Sequence, residues 1–445
     1  MNAGTDFSRS SLNTPSWFPA SWARLLLHPA FPFIVIGLAL VARLLVAVLI
    51  PVEPASDAAW YVGRALGLAA GEGYHENGIP TAYWPVGWPA ILALGYSLTG
   101  SMSATVIALN LASALVVMLL ILWFSRMATE IALVGRIALL VYALYPNHIA
   151  YTGQATTELI YTALAMGAFA VLIAGRKHLW LLFLSGLLFG IGTLVKPQTI
   201  MFPVGAVIAL ALVFRNYSWA SAARAAIVVY LALVLVVLPW SYRNWTVFGE
   251  FVLVSTNGGT ALLLGANDQV TGDHFEYQHT PVYDQLGIPW SQRVEGQVEL
   301  NRAQKEAAVE WIRNNTGEYF AWMPKKVLLL WIKDTDGFWS FDRDYPDSTS
   351  LVRLAQYLNQ ALYMVVLLLA FVAGFVALFG LVRREGEKAR MALLYCMPVF
   401  VTLLAAVFTG QIRYHFPAMP YLIILASWML LHFSRPSMKR EHRDD

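Results

Sequence analysis

The chain has a single cysteine, Cys396, and it lies inside an apolar run. That excludes a disulfide framework and a thiolate metal cluster. Charge is scarce as well: Asp, Glu, Lys and Arg make up 13% of the 445 residues, and the net charge of +3 is scattered. Without a basic stripe, nucleic acid is not an expected partner. No internal repeat is visible either. What the chain has in quantity is apolar surface, with 58% hydrophobic residues and 16 Trp. Its long apolar runs identify an all-α polytopic membrane protein.

Windows of about 20 apolar residues predict about ten transmembrane helices. They fall near 31–50, 104–124, 131–150, 156–174, 178–195, 199–214, 224–240, 357–382, 391–409 and 415–433. The first run lacks a small-residue cleavage site and is followed by further spans, so it reads as an anchor. The start, "FSRSSLNTPSWFPASW", reads as a disordered tail leading into an interfacial segment.

Lys and Arg in the short connections set the orientation. Arg24, Arg126, Arg176, Lys177, Arg215, Arg224, Arg383, Arg384, Lys388, Arg390 and the tail Arg435 to Arg443 fall on one side, which is expected to be cytoplasmic and to hold both termini. The expected organisation is a cytoplasmic tail 1–30, a transmembrane module 31–240 with an outer catalytic loop 52–103, an outer periplasmic segment 241–356 with interfacial helices, C-terminal helices 357–433 and a cytoplasmic tail 434–445. Within the outer segment, "KKVLLLWIK" at 325–333 is too short to span and reads as an interfacial amphipathic helix.

Basic residues are sparse on the outer side, so Arg64, Lys196 and Arg413 need a reason. Each alone can snorkel to a headgroup. Three together favour an anion site, because a desolvated phosphoryl group needs several donors. In "SDAAWYVGRALGLAAG" a helix capped by Ser56 and stopped by Gly71 and Gly73 puts Asp57, Tyr61, Arg64 and Leu68 on one face. Asp57 is then either a dipole-favoured cap or a working carboxylate. The same two readings apply to Glu158, which opens the fourth span. Lys196 precedes a helix-limiting Pro197, Arg243 and Asn244 follow Pro239, Asn257 sits in a turn-rich "STNGG", and Arg413 and His415 stand at the entrance of the last helix.

Taken together, the acid after the first span, the stretch "GEGYHENGIPTAYWPVGWP", "RNWTVFGEFVLVSTNGG" and the late "RYHFPAMP" resemble bacterial polyprenyl-phosphate-sugar-dependent glycosyltransferases of the GT-C fold. That class, glycosyltransferase family 39-like, includes the protein O-mannosyltransferases and the lipid A aminoarabinose transferase. The chain departs from the pattern in having Glu158 where Asp is more usual, and in its short outer portion. The resemblance implies a donor sugar carried on undecaprenyl phosphate and an acceptor lipid, glycan or protein at the outer face of the cytoplasmic membrane.

A lipid phosphate leaves as a stable anion and needs cations, whereas an acceptor hydroxyl needs a base. This assigns Asp57 as base and Glu158 as a second acid that orients the acceptor or a divalent metal. Arg64, Lys196, Arg243 and Arg413 become phosphate ligands, with Tyr61, Asn244, Asn257 and His415 as further substrate contacts. A single displacement of this kind inverts the anomeric centre. Two other patterns compete for attention: Asp342 and Asp344 in "FDRDYPD", and His274 with His279, which read more simply as solvated residues. The alternative function is a flippase for a lipid-linked sugar. It predicts inverted repeats and ionisable residues in mid-span, where only Arg43 and Arg136 occur.

Overall fold

The computed structural model describes residues 19–273, 293–383 and 385–432. Apart from one hairpin, His75–Glu76 against Ile79–Pro80, its regular elements are helices. The hairpin turns through Asn77 and Gly78, both at positive φ, as an Asn-Gly pair does in a two-residue loop.

Seven helices are long and apolar enough to cross a membrane: Phe31–Leu49, Met102–Ala128, Glu158–Gly175, Trp219–Phe248, Ser350–Val382, Gly386–Val407 and Ile412–His432. An eighth expected span is broken into Ala132–Ala143 and Pro146–Gly153, bent by 54°. The cause is local, since Pro146 drives Tyr145 into extended backbone (φ −74°, ψ 107°). Arg43 crosses from the first span to cap the break, donating to the carbonyls of Tyr142 at 3.1 Å and Ala143 at 3.0 Å. This fully buried arginine thus satisfies backbone that has lost its helical partners. The two remaining expected spans, Leu179–Val195 and Pro197–Val213, are shorter apolar helices.

Leu179–Val195 packs closely on Trp219–Phe248 because Gly186 and Gly190 lie one turn apart on the facing side. A Cβ at Gly186 would overlap the Val229 carbonyl, and one at Gly190 would press on Val236. Burial ranks the bundle from axis to rim. The apolar windows of Ile412–His432 and Glu158–Gly175 are 89% and 72% buried, against 22% for Phe31–Leu49. The spans that begin at Ile412, next to Arg413, and at Glu158 are therefore central. The first seven residues of "KKVLLLWIK" end a longer helix, Thr316–Trp331, with Lys325 and Leu328 exposed and Lys326 fully buried on the Gly265 carbonyl, and Ile332 and Lys333 lie just beyond it.

Candidate active site

Four loops converge at one end of the bundle. The outer helix Asp57–Ala69 starts at Asp57 and ends before Gly71 and Gly73, both at positive φ. Ser56 does not cap it as expected: its side chain makes no capping bond, and its backbone sits at φ 51°, ψ −126°. A non-glycine residue held there is strained, and it directly precedes the carboxylate of interest.

Asp57 Oδ2 accepts a hydrogen bond from Arg413 Nη1 at 2.8 Å. Arg413 lies in the tight segment Ile412–Ala418 that leads into the last helix. Beside this pair, Lys196 Nζ donates to Glu158 Oε1 at 3.2 Å. Glu158 is the first residue of its span, and Lys196 follows the last residue of Leu179–Val195. Arg413 also lies in the field of Glu158, which links the two pairs. Tyr61, one turn beyond Asp57, is buried against this group. Burial pushes its phenol well above the usual range, and the Asp57 charge pushes it further than Arg413 pulls it back.

Sequence reasoning missed a third carboxylate. Asp336 accepts from the Tyr151 hydroxyl at 2.6 Å and feels both Arg413 and Glu158. Burial raises its pKa above the ordinary carboxylate value, and Arg413 and Tyr151 only partly offset that. The turn carrying it is rigidly held. Asn147 Oδ1 accepts from the Gly337 amide at 2.9 Å, Gln154 Nε2 donates to the Gly337 carbonyl at 2.7 Å, and a Cβ at Gly337 would overlap Asn147. The signal was present in "KDTDGFW", where Asp334 and Asp336 repeat the spacing of Asp342 and Asp344.

Other candidates are placed elsewhere. Arg243, expected at the phosphate, donates to the carbonyls of Tyr74 at 3.1 Å and Thr81 at 3.0 Å, so it anchors the outer loop. Asn244 is fully buried, with its amide on the Val252 carbonyl. Asn257 accepts from the Ser255 hydroxyl at the head of helix Gly258–Leu264. His415 is fully buried, stacked between Trp331 and Tyr363 and 3.2 Å from Asp334, so it cannot reach an outer ligand. Arg64 lies over Trp60, 3.9 Å from Glu76, and lines a cavity of about 600 Å³ with Glu72, His75 and Asn77.

Asp344 is held by Arg343 and by the Glu53 amide, and Asp342 accepts from Gln356, so "FDRDYPD" clamps the exit of the first span. Among the described residues no group of three or more His, Cys, Asp or Glu is gathered to hold a metal. Glu158, which sequence reasoning offered to the acceptor or a divalent metal, carries Lys196 instead, and Asp57 carries Arg413. His274 and His279 lie outside the described residues, as do Arg384, the 434–445 tail and residues 1–18 of the N-terminal tail.

No family model matches the chain, and no curated protein does. Solved structures do. The oligosaccharyltransferase of Archaeoglobus fulgidus, tethered to an acceptor peptide with the NVT sequon, is similar over 92% of this chain at 12% identity and a TM-score of 0.52. The oligosaccharyltransferase AglB of the same organism, with an inhibitory peptide and a dolichol-phosphate, is similar over 90% at 11% identity and a TM-score of 0.50. This chain spans about half the length of either, 50% in both cases. ArnT from Cupriavidus metallidurans, bound to undecaprenyl phosphate, is a weaker likeness at 13% identity and a TM-score of 0.44, over 90% of this chain and 78% of its own. The chain is an all-α polytopic membrane protein with the GT-C fold.

Proposed function

We propose that this chain is a membrane glycosyltransferase that moves a hexosyl or pentosyl unit from a polyprenyl phosphate donor, such as undecaprenyl phosphate, to a hydroxyl of a lipid, glycan or protein on the outer face of the cytoplasmic membrane. The observation that carries this reading is the pairing of Asp57 with Arg413, from opposite ends of the chain, beside Glu158 and Lys196. Two cations and a partly exposed carboxylate at one end of a membrane bundle suit a reaction with an anionic leaving group and a hydroxyl nucleophile. The fold agrees, and one of its solved examples holds a lipid phosphate.

In this reading the acceptor oxygen attacks the anomeric carbon and the bond to the phosphate oxygen breaks. The leaving phosphate keeps the electron pair, held by Arg413 and Lys196, and Asp57 takes the acceptor proton. Glu158 holds Lys196 in place and orients the acceptor, and the anomeric centre inverts in the single displacement. Arg243 and Arg64 contribute by fixing the outer loop over the site. The flippase alternative draws no support from Arg43, whose guanidinium is committed to the broken helix.

Purified protein incubated with a panel of undecaprenyl-phosphate monosaccharides and a membrane extract as acceptor should release undecaprenyl phosphate. Absence of release from every donor, with intact transport of the same lipids in vesicles, would favour the flippase.

A further inference from the structure

In the free protein the base and the phosphate ligand of the preceding reading neutralise each other. Arg413 and Asp57 form the more open pair, with side chains 32% and 22% exposed, whereas Lys196 and Glu158 are 14% and 4% exposed. Arg413 gives Nη1 to Asp57 and Nε to Gln411 at 3.2 Å, so one donor on each edge of the guanidinium is taken. Its field holds three carboxylates, Asp57, Glu158 and Asp336, against the two cations Arg413 and Lys196. An arriving phosphate therefore meets a cation whose charge is already paired and whose Nη1 is taken. It must compete with a carboxylate for the same guanidinium, and Asp57 is the exposed competitor. The strained, uncapped Ser56 immediately before it leaves the first turn of the outer helix untied by any side-chain cap.

We propose, resting on the lipid-phosphate reading, that the donor phosphate displaces Asp57 from Arg413, and that this exchange of partners turns Asp57 from a counter-ion into a base. One ion pair breaks and one forms, with no covalent change. Released from the guanidinium, the Asp57 carboxylate has Oδ2 free to accept from the acceptor hydroxyl. That oxygen is thus open to the acceptor only when a donor is in place. The acceptor proton then moves to Asp57 as the sugar transfers, and departure of the lipid phosphate restores the resting pair.

The test needs neither the sugar nor the acceptor. Undecaprenyl phosphate is titrated onto the purified full-length protein in detergent and its affinity measured by native mass spectrometry. Relieved of its competitor, Asp57→Asn should bind about tenfold tighter than wild type, while Arg413→Gln should bind about tenfold weaker. On the Arg413→Gln background, or on Arg413→Lys should Gln not fold, Asp57→Asn should change affinity less than about twofold, because the competition is for Arg413 itself. Asp336→Asn, which removes a charge from the same field without touching Arg413, should tighten binding far less than Asp57→Asn.

Unchanged or weaker binding by Asp57→Asn overturns the exchange and leaves the lipid-phosphate reading standing. Equal tightening on the Arg413 variants also overturns it, as a field effect. Failure of wild type and all variants to bind the lipid overturns the lipid-phosphate reading and the exchange with it.

Discussion

Three carboxylates share the field of Arg413, and they differ in what holds them. Asp57 is bonded to the arginine, Glu158 to Lys196, and Asp336 to the neutral hydroxyl of Tyr151. Asp57→Asn keeps the shape and removes the base, so turnover should fall roughly 10²–10⁴-fold. Near-normal turnover on a hydroxyl acceptor would make the carboxylate structural. Asp336 yields a prediction of opposite sign for stability. Its folded-state pKa is raised, so its contribution is fully present below the unfolded value and is lost as pH rises through the folded one. At pH 8 Asp336→Asn should therefore raise the thermal midpoint in detergent, since Asn can still accept from Tyr151, and the gain should shrink as pH falls towards 4. A lower midpoint for the variant at pH 8 would contradict that account.

At the scale of elements, the loop over the site is tied from several sides: Gln297 bonds Pro80 and Ala82, Arg293 pairs with Glu76, and Arg243 holds the stretch between Tyr74 and Thr81. Arg243 is the donor that ties the carbonyls of Tyr74 and Thr81 to the helix Trp219–Phe248. Arg243→Ala should release the loop at a cost of ~1.5–3 kcal/mol, the range for hydrogen bonds to a charged group. Limited proteolysis should then cut between 72 and 83 sooner than in wild type. Equal cleavage rates would show that Gln297, Arg293 and the aromatic packing hold the loop without Arg243. The same scale shows what was legible in the sequence. Apolar runs located a helix at each expected span, seven of them long and apolar enough to cross a membrane, because length and hydropathy are local properties. The break at Tyr145–Pro146 has a local cause in the proline, but the use of Arg43 to cap it depends on a contact across about 100 positions, which periodicity does not carry. The cluster was half legible: Asp57, Glu158, Lys196 and Arg413 stood out as charges at outer helix ends. Asp336 was hidden among the acids of a polar segment. Arg243 and His415 looked like ligands because their exposed or buried state is decided by packing partners such as Trp331 and Tyr363, far away in the chain.

For the whole molecule, the bundle has two chemically different ends. One gathers Asp57, Glu158, Asp336, Lys196 and Arg413. Basic residues crowd the connections at the other: Arg126 lies within the field of Arg136, Arg176 sits over Phe214, and Arg390 donates to the Ala128 carbonyl. In short loops, Lys and Arg remain on the side from which a membrane protein inserts. Our proposal therefore puts the carboxylate end outside, where a sugar must arrive on a lipid, and both termini in the cytoplasm. Reporter fusions test it directly. An enzyme active only in the cytoplasm should work when fused after Arg176 or Arg384 and fail near Asn257, while a reporter active only outside should show the reverse. Asn257 is well placed for this, since it opens the helix Gly258–Leu264 just after the 30-residue helix Trp219–Phe248 has left the bundle. Reversed signals at these positions would put Asp57 and Arg413 in the cytosol, beside nucleotide-activated sugars. A lipid carrier would then be unnecessary, and the polyprenyl phosphate donor would lose its rationale.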